Sequence, residues 1–133
     1  NLPVESVSHA DAEAFALRVS WLLGVPSQLP SREHFFAAAG KPTSLAEVLV
    51  QSKTSTVPVT GATAGPGGFF HLWGNVSEWL ANPDGNSSNE VSHAGGHFLD
   101  TATSLAKNSV RQTHHNDRNR LIGFRVVIQI SQP

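Results

Sequence analysis

The chain contains no cysteine. That absence removes disulfides, thiolate metal sites and a cysteine nucleophile together, and it is compatible with any redox compartment. Charge is scarce as well: 14% of residues are charged, nine basic against ten acidic, for a formal net charge of -1. No electrostatic footprint of the kind that tracks a phosphate backbone or an anionic membrane is present, so nucleic acid is not an expected partner. Long apolar runs are missing too. Val48-Leu49-Val50 and Val126-Val127-Ile128 fall far short of a membrane span, and no charged start followed by an apolar stretch marks a signal peptide. The expectation is a soluble chain without a membrane span, in a compartment that the sequence leaves open, the extracytoplasmic space included. Asn1-Leu2-Pro3 is no initiator start, so the sequence reads as a mature, processed or excised chain.

What is present fits one domain. A length of 133 residues can bury a useful core, and 11 glycines with 8 prolines point to much irregular backbone rather than a helix bundle. Ser8 and Asp11 have capping-box spacing, and Ala12, Phe15, Ala16, Val19, Leu22 and Leu23 recur at helical intervals up to Gly24. This predicts a helix over 9–23 with one apolar stripe. Leu29-Pro30 reads as extended, and Ser31 then caps a second helix over 32–39 that stops at Gly40. Ser44 with Glu47 offers another capping box for a brief turn through Val50. Gly61, Gly65, Pro66, Gly67 and Gly68 force turns before a short strand at Phe69-Phe70. Phe124, Val126, Ile128 and Ile130 alternate with Arg125, Val127 and Gln129, the period of a half-buried strand over 123–130.

Four blocks carry a family likeness. Pro3-Val4-Glu5-Ser6-Val7-Ser8-His9-Ala10-Asp11-Ala12-Glu13-Ala14-Phe15 leads into the first helix, and Gln28-Leu29-Pro30-Ser31-Arg32-Glu33-His34-Phe35-Phe36 leads into the second. Gly68-Phe69-Phe70-His71-Leu72-Trp73-Gly74-Asn75-Val76-Ser77-Glu78-Trp79 follows, and then Gly95-Gly96-His97-Phe98, Arg111 and Gly123-Phe124-Arg125-Val126. In this order they resemble the formylglycine-generating-enzyme, or sulfatase-modifying-factor, family over nearly the whole chain. The resemblance implies an α+β, C-type-lectin-like fold with two main helices, short antiparallel strands and much irregular loop. It also implies a single domain, 1–133, that lacks the first part of the family domain and has a shortened central loop region. Physics gives the shared residues structural work: glycines allow close backbone approach, tryptophans bury area, and Arg125 can reach a buried acid.

The departures bear on function. Oxidase members of the family bind copper through two cysteines, and counted from Gly95-Gly96 those places fall at Asp100 and Leu105. Soft Cu(I) prefers thiolates to a carboxylate or an alkyl chain. Copper and the formylglycine-generating oxidation are therefore not expected, and the chain reads as a pseudoenzyme. His34 stands where the family has the acid of a capping box, which predicts loss of that cap.

The resemblance further implies a structural calcium ion at Gly74, Asn75, Val76 and Glu78, the carboxylate and nearby carbonyls suiting an oxygen-seeking cation. The plain alternative pairs Glu78 with an arginine. It also implies a ligand-binding groove formed by His97, Asp100, Thr101, Thr103, Lys107, Arg111, His114, His115, Asn116, Asp117 and Arg118, for a peptide, protein or glycan. A non-catalytic binding or scaffold module is the favoured reading. A rival is a non-haem-iron oxidoreductase drawing on His93, His97 and either Asp100 or His114, since two histidines and a carboxylate can hold iron. Another is half of a two-piece domain, completed by an N-terminal segment or chain. A Ser-His-Asp hydrolase finds no Gly-x-Ser-x-Gly elbow, and the glycosylation patterns Asn75-Val76-Ser77 and Asn86-Ser87-Ser88 matter only in a eukaryotic secretory setting.

Overall fold

The computed structural model describes residues 1–41, 44–50, 52–60, 64, 65, 67–82 and 89–130. Helix α1 spans His9–Leu23. The Ser8 side chain accepts from the Asp11 N–H while the Asp11 carboxylate accepts from the Ser8 N–H, and Gly24 closes the far end at φ +67°. Strand β1 (Ser27–Gln28) follows, tied to α1 through Ser20, whose hydroxyl donates to the Ser27 carbonyl and accepts from its N–H. Helix α2 is Arg32–Ala39. Its cap is not lost, because His34 Nδ1 takes the place of a carboxylate and accepts from the Ser31 N–H at 3.4 Å. The short α3 (Leu45–Val48) lacks a side-chain cap from Ser44; the side chain of Glu47 and the pattern at Asn86–Ser88 lie outside the described residues.

The main sheet has four short strands in the order β4-β3-β2-β5: β2 (Ser77–Trp79), β3 (Glu90–Ala94), β4 (Val110–His114) and β5 (Ile122–Gly123). β3 runs antiparallel to both neighbours, whereas β2 and β5 are parallel, with Glu78 opposite Gly123. Helix α4 (Ala102–Lys107) joins β3 to β4, and β6 (Val127–Ile128) pairs antiparallel with β1.

Two apolar clusters sit on either side of this scaffold. Phe35, Ala39, Leu49, Leu72, Trp73, Leu80, Ala94 and Leu105 form one; Ala12, Leu29, Trp79, Val91 and Ile122 form the other. Trp79 is fully buried between the edges of His9 and His93, and its indole N–H donates to the Val7 carbonyl. Gly74 is indispensable to the join: at φ +85° its backbone lies so close to Val50 that a Cβ would overlap the Val50 carbonyl.

Three further expectations need correction. The strand over 123–130 is broken into β5 and β6, because Gly123 is shared between Glu78 and a bridge to Glu5, after which the chain leaves this sheet to pair with β1. Phe69-Phe70 is exposed loop, not strand. In α1 only Ala12 and Ala16 of the apolar stripe are buried, with Val19 partly so, while Phe15, Leu22 and Leu23 are exposed, as are Leu17 and Trp21 on the helix's other side. Small residues let the helix approach the second cluster closely, leaving its larger ones outside.

Candidate functional site

The glycine pair Gly95-Gly96 at the end of β3 turns the chain so that Asp100 and Leu105 flank the same residue. A Cβ on Gly96 would meet Leu105 Cδ1 at 2.8 Å and Asp100 Oδ2 at 3.0 Å. The two positions picked out by counting are thus neighbours in space. Asp100 is buried and accepts from Arg111 Nη2 at 2.6 Å, Arg111 Nη1 at 2.9 Å, the His97 N–H at 2.9 Å and the Ser104 hydroxyl at 3.0 Å. Burial alone would raise its pKa, but these donors outweigh it and hold the carboxyl down at about 2. Leu105 is fully buried in the first apolar cluster. Neither position presents a free ligand. A copper ion does not fit this pair: one member is saturated by hydrogen bonds and the other is alkyl.

His97 completes the cluster. Arg111 Nη1 lies 3.2 Å from His97 Nε2. Nδ1 lies 3.4 Å from Asp100 Oδ2 and accepts from the Leu99 N–H at 3.3 Å. Burial lowers the His97 pKa, with Arg111 adding to that and Asp100 opposing it. His93 lies opposite Arg111 across the β3–β4 ladder. Burial, then Arg111 and His97, push it down to about 4 against a raising pull from Asp100, and its Nδ1 has no partner among the described residues.

The other expected groove residues divide into separate places. Thr101 spends its hydroxyl capping α4, where it accepts from the Ser104 N–H; exposed Thr103 and Lys107 lie along that helix. At the far end of β4, His114 stacks on His115 with ring centroids 4.5 Å apart, and the Asn116 N–H donates to His114 Nδ1. Asp117 takes the Thr113 hydroxyl. Arg118 is drawn to Asp11 at the start of α1, at 2.6 Å. His114 therefore does not join His93, His97 and Asp100, and among the described residues no group of three or more histidine and acidic side chains converges to hold a metal ion. Lys107 and Arg111 do come together with Arg32, Ser92, Ser109 and Gln112 around a polar cavity of about 500 Å³. The sequence reading missed Arg32, whose only visible signal was helix capping nearby.

The second expected site takes the arginine form. Glu78 is buried, and Arg125 donates to both carboxylate oxygens through Nε and Nη2, with Nη2 also reaching the Phe70 carbonyl at 3.2 Å. Burial pushes the Glu78 carboxyl up and Arg125 opposes it. A calcium ion there would have to displace the guanidinium. The Asn75 side chain is also spoken for, accepting from the Val57 N–H and donating to the Val57 carbonyl, and Asn75 is too buried to accept a glycan.

Comparison with known proteins agrees with this architecture. No curated protein sequence matches the chain. In structure it is similar to PvdO from Pseudomonas aeruginosa (TM-score 0.80, 20% identity, covering 96% of this chain and 62% of PvdO). It is likewise similar to CarF (0.75, 24%, covering 97% and 68%) and to Treponema denticola variable protein 1 (0.79, 18%, covering 94% and 70%). These likenesses show an α+β, C-type-lectin-like fold of which the chain spans 62% of PvdO's length. Among the described residues no helix is long and apolar enough to cross a membrane. The family of the sulfatase-modifying factor enzyme 1-like domain matches residues 43–130. That stretch includes Gly74 to Trp79 and Gly123 to Val126, and the chain belongs to this formylglycine-generating-enzyme-like family.

Proposed function

We propose that the chain is a non-catalytic binding module of this family. The observation that carries the reading is the fate of the two positions around Gly96: a carboxylate locked by Arg111 and a leucine packed into the core. The polar cavity beside Arg111 supplies the binding surface, and with Arg32 and Lys107 on its wall it suits an acceptor-rich ligand such as an acidic peptide or a glycan. Metal analysis with peptide titration tests this. The expected result is no stoichiometric iron or copper, and acidic-peptide binding that weakens with salt and with Lys107→Glu. Stoichiometric iron or copper lost on His97→Ala would overturn it in favour of an oxidoreductase.

The outer face of α1 favours a second reading, in which further polypeptide completes the domain. Leu17 and Trp21, one turn apart on the outer side of the helix, are 51% and 73% exposed, and contiguous apolar faces of this kind usually mark contact surfaces. Sedimentation across a concentration series checks it: self-association abolished by Trp21→Glu supports a face that needs covering, and a monomer at all concentrations argues against it.

A further inference from the structure

The main sheet has an open edge. β4 stands first in the order β4-β3-β2-β5, and no strand among the described residues lies on its far side. The register settles which of its backbone groups face outward. Gly95 donates its N–H to the Ser109 carbonyl at 3.1 Å, and His115 donates its N–H to the Asn89 carbonyl at 2.7 Å. Between these contacts runs an unbroken antiparallel ladder, with Arg111 opposite His93 and Thr113 opposite Val91. Hydrogen-bonded pairs alternate with open ones along such a ladder, so Arg111 and Thr113 spend their N–H and C=O groups on β3. Val110, Gln112 and His114 then aim theirs away from the sheet. The Asp117 N–H takes the His114 carbonyl at 2.9 Å and ends the edge in a turn.

Exposed edges are ordinarily blunted by proline, a bulge or an outward charge. β4 has no proline and no bulge, and its one charged side chain, Arg111, is committed to Asp100. What borders the edge is cationic. Val110 and Gln112 line the polar cavity, which has Arg32 and Lys107 on its walls and no acidic residue among its described lining residues. Arg32 rests over the Phe36 ring, 5.9 Å from its centroid. Neither Arg32 nor Lys107 makes an ion pair among the described residues.

We infer that β4 accepts an extended peptide as a further strand of this sheet, and that the peptide is acidic at alternate positions. The inference rests on the binding-module reading and narrows its ligand to polypeptide. A peptide backbone carries donors and acceptors at the spacing that Val110 and Gln112 present, and main-chain pairing of this kind gives affinity while alternate side chains give specificity. Side chains of an added strand alternate between faces, so every second one is directed to the side of the cavity and its cations. A second copy of β4 does not supply that charge, because Val110–His114 contains no acidic residue.

The test uses the ¹⁵N-labelled chain and a short blocked peptide of alternating glutamate and threonine, with a glutamine–threonine peptide as its neutral control. Two isomers of the acidic peptide carry N-methyl groups on the glutamates or on the threonines, each removing the donors along one edge. At saturation the Val110, Gln112 and His114 amides are expected to shift and to gain protection from exchange, while Arg111 and Thr113, already paired, move little. One methylated isomer should bind roughly tenfold more weakly than the parent or worse. The glutamine peptide should also bind more weakly, by a margin that shrinks with salt. Binding that leaves the three outward amides unmoved, or that both methylated isomers match, overturns the inference and leaves the binding module standing. A glutamine peptide that binds equally well overturns the requirement for acid. Val110 and Gln112 amides already protected in the free protein overturn it too, since the edge is then occupied. Oligogalacturonate binding where no peptide binds overturns the peptide and keeps the module, and binding of neither removes both.

Discussion

Asp100 has four donors and Arg111 spends two of its nitrogens on them, so this pair should behave as one structural unit. Removing one partner strands the other's charge in a place where water reaches it poorly. Asp100→Asn is expected to cost about 2–3 kcal/mol in urea unfolding, below the full cost of a sealed ion pair because Arg111 keeps some solvent contact. Pairing it with Arg111→Met should recover part of the loss, and a double-mutant cycle measures that coupling. Leu105→Ala should cost about 2–5 kcal/mol, as for other buried leucines. Gly96→Ala should also be destabilising, since it adds a Cβ between Leu105 and Asp100 at φ +72°. At Glu78 the sign of a different experiment is decisive. With Arg125 on both oxygens, chelation by EDTA should leave the wild-type melting temperature unchanged. A fall on chelation that Glu78→Ala abolishes would instead support a calcium ion there.

At the scale of elements, local signals and tertiary ones part company. The bounds of α1 and α2 are legible in the sequence because each cap is settled locally, by Ser8 with Asp11 and Gly24 and by Ser31 and Gly40, whereas His34 standing in for a capping acid is not. The run from Gly123 to Ile130 also has a clean period of two, yet it is not one strand, since its two ends are claimed by different sheets. No local pattern records that competition. The site divides in the same way. Asp100 and Leu105 meet because the Gly95-Gly96 turn and the α4 cap are short-range features, whereas His114 to Arg118 are pulled away by Asn89 and Asp11, which are remote in sequence. Helix α1 allows a direct check. Leu22→Glu should change stability by no more than about 0.5 kcal/mol, while Ala16→Leu, at a nearly closed position, should cost about 1–3 kcal/mol through overpacking.

For the whole molecule, two depressed groups in one cluster give stability a stepped dependence on pH. His93 titrates at about 4 when folded, below its ordinary value of 6.5. Between those values the unfolded chain binds a proton that the folded one refuses, so stability is full above 6.5 and falls as pH drops toward 4. Asp100 titrates at about 2 against an ordinary 3.8, and its contribution is present above 3.8 and lost as pH falls toward 2. The two windows meet end to end, and the groups share Arg111 as neighbour. Melting temperature should therefore decline in two stages between pH 7 and pH 2. His93→Gln, neutral throughout, should shrink the upper stage and leave the lower one, while Asp100→Asn should flatten the lower stage from a reduced starting stability. An upper stage left undiminished by His93→Gln would assign the acid sensitivity to other groups, His97 and His71 among them. Burial lowers the pKa of both of these rings, so each adds to the same upper window.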